Sequence, residues 1–176
     1  HVQFYQLYPS NESKIDTLKT AVNSFIDSVS EKSPESQIAI VKFSGDKSER
    51  IGNDTYRDRG FTYNYSQIVK NLTPASSNVA LKDAINALSP AGATAADYGM
   101  QHAQTIIADA ANDGRKKVVI MFTDGEPNHQ SGFDPNVANT AISASQAIKA
   151  AGATVYTIGV FAGADGTPVD VNNLSD

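Results

Sequence analysis

Lys117-Val118-Val119-Ile120-Met121-Phe122-Thr123-Asp124-Gly125-Glu126-Pro127 decides the fold. Val118–Phe122 is apolar at consecutive rather than alternate positions. A strand of that kind needs cover on both faces, the mark of a central strand in a parallel sheet. Gly125 and Pro127 end it abruptly. An Asp directly after a buried strand is held rigidly, so Asp124 marks a working surface at the strand's carboxyl end.

Outward from this strand, helical and strand patterns alternate. N-terminal to it, Thr94 to Ala111 is an Ala-rich helical stretch ended by Gly114. C-terminal to it, Asn136–Ala151 reads as a helix closed by Gly152, and Thr154–Phe161 as a second apolar strand. Earlier, Ile15, Leu18, Val22, Phe25, Ile26 and Val29 recur at helical spacing within Ser13–Val29, with Ser13 placed to cap and Asp16 in the first turn. Ile38–Phe43 is a compact strand, Phe61–Tyr65 a short edge strand, and Val79–Leu88 a helix. Ser44–Gly60 is dense in charge, Gly and Asn and reads as a surface excursion. Val2–Leu7 is a short strand, and Gly163–Asp176 a polar loop. Strands alternating with helices give an α/β fold: a Rossmann-like, doubly wound, mainly parallel sheet flanked by helices on both faces.

The 176 residues suit one domain spanning 1–176. The apolar share of 40% and the charged share of 19% are those of an ordinary globule. A net charge of −5 argues against nucleic acid or an anionic membrane held by bulk electrostatics. The absence of cysteine excludes disulfides, thiolate zinc and a Cys nucleophile together. Asn11, Asn53, Asn64, Asn71 and Asn173 begin Asn-x-Ser/Thr sequons, which Asn-rich surfaces also produce by chance.

Three loops leave the carboxyl ends of strands: Tyr8–Ser13, Gly92–Thr94 and Thr123–Glu126. The Thr94 hydroxyl and the Asp124 carboxylate are hard oxygen ligands suited to Mg2+ or Mn2+, with positions left for water and for a partner's carboxylate. The competing assignment makes Thr94 a helix N-cap and Asp124 a turn-former before Gly125. His102 fits a surface or packing role better than a ligand's, and His129 a polar loop role better than partner contact. Glu126 belongs to the rim or to the turn. Tyr56, Tyr63 and Tyr65 suit edge packing more than recognition.

Together these segments carry a resemblance. Ser13-Lys14-Ile15-Asp16-Thr17-Leu18-Lys19 with Ala21-Val22, Gly92-Ala93-Thr94 with Ala96-Asp97-Tyr98-Gly99, Val118–Phe122 with Thr123-Asp124-Gly125-Glu126-Pro127, and Thr154-Val155-Tyr156-Thr157-Ile158-Gly159-Val160 resemble the von Willebrand factor type A domain, in the flavour of Gram-positive surface and pilus-tip adhesins. The resemblance implies a metal-ion-dependent adhesion site holding Mg2+ (or Mn2+ or Ca2+), with Thr94 and Asp124 as ligands. It also implies binding of a host or extracellular-matrix protein, an extracellular place on a bacterial surface or pilus within a larger protein, and no enzymatic role. The family's first loop, Asp-x-Ser-x-Ser, is replaced by Gln6-Leu7-Tyr8-Pro9-Ser10, so an anchoring carboxylate and one hydroxyl ligand are lost. Three readings stay open: a fragment incomplete at both ends, a divergent member without its metal site, or a chain whose first ten residues are not the family's first strand. The alternatives in function are a metal-free interaction scaffold and a hydrolase. A hydrolase would need a second carboxylate or a phosphate cradle, and the chain has neither a Gly-x-x-x-x-Gly-Lys loop nor a Gly-x-Ser-x-Gly elbow.

Overall fold

The structure, a computed structural model, describes residues 13–123 and 125–159. The expected strand Val2–Leu7, the first loop up to Glu12 and the loop Gly163–Asp176 lie outside them. The described chain runs α1 (Lys14–Lys32), β1 (Gln37–Lys42), β2 (Thr55–Asp58), β3 (Phe61–Asn64), β4 (Gln67–Pro74), a 3-10 turn (Ala75–Ser77), α2 (Asn78–Asn86), α3 (Ala96–Asp109), β5 (Val118–Thr123), α4 (Pro135–Ala150) and β6 (Thr154–Gly159).

Local chemistry accounts for the helix ends. Ser13 caps α1 by accepting from the Asp16 amide and also donates to the Asp16 carboxylate at 2.5 Å. Asp134 caps α4 through the Asn136 amide at 2.8 Å, with Pro135 in the first turn, where a missing N–H costs nothing. Both helices then bury an apolar stripe.

The strands form three two-stranded sheets among the described residues. β5 and β6 pair in parallel, in register from Val118 with Thr154 to Thr123 with Gly159, and α4 makes the crossover. β1 and β4 pair antiparallel, with irregular register around Ile40, and β2 and β3 form a hairpin. The fold is α/β, but the expectation of a mainly parallel sheet is met only by β5 and β6. Two segments differ from the sequence reading. The excursion Ser44–Gly60 contains β2, which needs only the two-residue turn at Arg59 (φ 48°) and Gly60 to fold back on β3. β4 comes from a stretch with few apolar residues and no strict alternation.

Helices cover both faces of the antiparallel pair. On one face, Ile26 of α1 and Leu81 and Ile85 of α2 bury Ile40 and Val69 in a common core. On the other, Ile68 and Leu72 line a groove with Thr105 and Ile106 of α3, as the strand's alternation requires. Among the described residues, the parallel pair is covered by helices on one face. Val119, Met121 and Val155 pack on Ala96 and Met100 of α3 and on Ala141, Ala144 and Ile148 of α4. The opposite face exposes Val118 (51%), Ile120 (37%), Tyr156 (57%) and Ile158 (43%). The expectation of cover on both faces of Val118–Phe122 is thus not met among the described residues, because no described helix packs on that side.

Phe43, just past β1, joins the α3–α4 core and so links the two halves. Its ring and Cβ lie against Gly99, where an added Cβ would stand 2.8–2.9 Å from Phe43 carbons. A buried polar knot secures the same junction. Ser66 Oγ accepts from the Ser44 amide at 3.1 Å and donates to the Gly45 carbonyl at 2.9 Å. His102, 3% exposed, has Nε2 at 2.9 Å from the Ser66 carbonyl oxygen. A carbonyl only accepts, so this nitrogen carries the proton. His102 is therefore a packing residue, as its position in the helix suggested.

Candidate functional site

The loop before α3 is pinned from both sides. Ser44 Oγ donates to the Ala91 carbonyl, which also accepts from the Asn64 amide at 3.2 Å, and the Ala95 amide donates to the Ser44 carbonyl at 3.0 Å. Gly92 (φ +104°) packs so closely that a Cβ would meet Tyr63 Cδ1 at 2.5 Å and Ser44 Oγ at 2.7 Å. Only glycine meets both demands. Asn64 is 6% exposed and its side-chain nitrogen donates to the Ser89 carbonyl at 2.6 Å. That removes Asn64 as a glycan acceptor. Tyr56 stacks on Tyr63 (5.5 Å) and packs on Tyr65 (4.6 Å), the edge-packing role expected for these rings.

This pinned loop delivers Thr94 to the end of β5. Thr94 and Asn128 form an antiparallel bridge: the Thr94 amide donates to the Asn128 carbonyl at 3.2 Å, and the Asn128 amide to the Thr94 carbonyl at 3.0 Å. A Cβ on Gly125 would stand 3.1 Å from Thr94 Oγ1. Two of the three expected loops therefore meet, and the third lies outside the described residues. The N-cap assignment for Thr94 is overturned. Ala95 holds that position, with no side-chain cap, and Thr94 Oγ1 makes no hydrogen bond to a described residue. Asp124 is itself outside the described residues. Its neighbours are ordered around it: Thr123 Oγ1 donates to the Gly125 carbonyl at 3.3 Å, and Asn128 Nδ2 to the Glu126 carbonyl at 2.7 Å.

Two residues that the sequence reading left without a function stand at the same rim. Asp97, in the first turn of α3, is 5% exposed. Both its carboxylate oxygens lie 3.0 Å from His129 Nε2, which donates to them. The Tyr98 ring stacks on the His129 ring, centroids 4.7 Å apart. Burial holds the Tyr98 phenol above its ordinary pKa, and the Asp97 carboxylate pushes the same way. The only sequence signal for this cluster was an Asp three residues after Thr94. Nothing local pairs it with a His more than thirty positions on.

The donor set can be tested for a divalent ion. Thr94 Oγ1 is a neutral oxygen. Asn128 Oδ1 is buried and accepts from no described group, and it too is a neutral acceptor. Asp97 is committed to His129. No three His, Cys, Asp or Glu residues converge among the described residues. These groups alone do not fit a firmly held Mg2+, which takes carboxylates to replace its water.

A pinned loop at a helix start, brought against the loop after a parallel strand, is the arrangement that the sequence motifs led us to expect. No curated protein matches the chain. The sequence model of the von Willebrand factor type A domain matches residues 10–176. The chain belongs to the von Willebrand factor type A domain family.

Proposed function

We propose that this chain is an adhesion domain that binds a host or matrix protein through the rim formed by Thr94, Asp124 and the loop 125–131. The observation that carries the reading is the backbone bridge between Thr94 and Asn128, which gathers two loops at one strand end. Domains of this family commonly mediate protein–protein interaction and adhesion. The doubly wound sheet, a bacterial surface or pilus location within a larger protein, and a binding rather than enzymatic role belong to the same reading. Thr94 and Asp124 are the groups through which Mg2+ would enter the contact, as a weakly held and largely hydrated ion. A metal-free version of the same surface is the second reading: on the resemblance of the first loop, Gln6 and Tyr8 would stand where the family carries an Asp and a Ser.

The test is surface plasmon resonance against immobilised collagen, fibrinogen and fibronectin, in Mg2+ and in EDTA, with Thr94→Val and Asp124→Ala. Saturable binding weakened by roughly tenfold or more in both variants is expected, the size of a lost central contact. Loss in EDTA assigns the contact to the ion. Binding kept in EDTA but lost in the variants assigns it to the metal-free surface. Variants that bind like wild type would sink the site.

A further inference from the structure

A divalent ion that ties loops together makes the binding surface depend on metal. In this chain the two described loops are tied by other means. The loop after β5 touches the start of α3 at two neighbouring places: through the backbone at Thr94 and Asn128, and through side chains at Asp97 and His129. The second tie is the stronger kind. Asp97 has a 7% exposed side chain, and its partner among the described residues is the one His129 nitrogen, which lies equally close to both oxygens. A carboxylate so far out of water is stabilised by a directed donor and left costly without one. Tyr98 covers one face of the imidazole and restricts its rotation. The His129 side chain is 39% exposed, so it reaches inward from the rim.

We propose that Asp97, His129 and Tyr98 form a latch that holds the loop 125–131 on the N-terminal turn of α3, so that the binding rim is preformed without metal. Asp97 and His129 act here as positioning residues: through their contact they set where Thr94 and Gly125 stand relative to one another. For its consequence in binding, the latch rests on the reading of this rim as the adhesion surface. Its existence does not. It predicts that removing metal leaves the loop in place, whereas removing the imidazole releases it.

Amide hydrogen exchange on the whole chain in EDTA tests this directly. The reporters are the Thr94 and Asn128 amides, which close the bridge, with the amides of α1 and α4 as controls for the global fold. The wild type should protect both reporters in EDTA, and added Mn2+ should change that protection little. His129→Ala should speed their exchange by roughly tenfold or more, the size expected for losing a hydrogen bond to a charged partner, with the controls unmoved. His129→Gln keeps an N–H donor at the reach of Nε2 and should recover much of the loss, which a ring acting only as filler would not allow. Asp97→Ala, which removes the acceptor, should match His129→Ala. If Asp97→Ala does not fold, Tyr98→Leu, which removes the stack alone, should give an intermediate rate. Exchange in His129→Ala equal to wild type, no recovery in His129→Gln, or protection that appears only with Mn2+ would overturn the latch. Absence of any Mn2+ binding would remove the ion from the proposed function and leave the latch standing, so the two failures are told apart.

Discussion

The two strand pairs of this molecule solve the burial problem in opposite ways. β1 and β4 are antiparallel, come from segments of mixed polarity, and are enclosed by α1 and α2 on one face and α3 on the other. β5 and β6 are parallel and far more apolar, yet among the described residues only Val119, Met121 and Val155 of the pair reach a core, and Val118, Ile120, Tyr156 and Ile158 are exposed. The contrast also frames the proposed rim. The enclosed pair forms a rigid base, and its polar knot at Ser44, Ser66 and His102 fixes the loop that carries Thr94. The parallel pair supplies the strand end on which that loop is laid.

The largest test asks whether the two halves fold as one unit. Leu81 and Ile148 are each 0% exposed, one in each core. Truncating either to Ala should cost about 2–5 kcal/mol through lost burial and a residual cavity. Urea unfolding followed by circular dichroism and by tyrosine fluorescence should give one coincident transition for both variants. Two separated transitions would show that the halves are independent.

Gly99→Ala probes the joint itself. The new methyl would press on Phe43, including its Cβ, so the helix and β1 must part. A loss of about 1–3 kcal/mol is expected from overpacking, measured by the same urea titration. Phe43→Leu in the Gly99→Ala background should return part of it. A neutral Gly99→Ala would mean that the two halves are not tightly seated on each other.

The smallest effect belongs to the open face. Val118→Thr should shift stability by less than about 0.5 kcal/mol, as for other exposed sites. The matched change Val69→Thr, at 8% exposure on the enclosed pair, should cost several times more, because a hydroxyl would enter a core without a partner. Equal losses at the two positions would show that the parallel pair is enclosed after all and would remove the contrast.

Legibility in the sequence followed the same division. Helical periodicity and end chemistry were enough for α1 and α4, where Ser13 signalled the start of one and Gly152 the end of the other; the Asp134 cap emerged only from the structure. β5 and β6 were readable as apolar runs between Gly and Pro stops. β4 was not, because Gln67, Lys70 and Asn71 interrupt it and its burial comes from helices distant in the chain. β2 was hidden in a charged segment because a hairpin needs only a turn and a partner, and the partner Phe61–Asn64 was visible only as an isolated edge. At the site, Thr94 was legible as a hydroxyl at a loop end, and Asp124 as a strand-end carboxylate. The role of Thr94 was not, since a Thr before a helix caps it far more often than it bridges to another loop.

The sequence by itself determined most of the elements, the loop positions at the strand ends, and the family, because periodicity, caps and turn residues act over a few neighbours. Only the tertiary structure decided which faces of the strands are enclosed, that Thr94 pairs with Asn128, and that Asp97 grips His129 beneath Tyr98. Those outcomes depend on residues tens of positions apart meeting in a low-dielectric interior. There a buried carboxylate must find a donor, and no local pattern specifies which one.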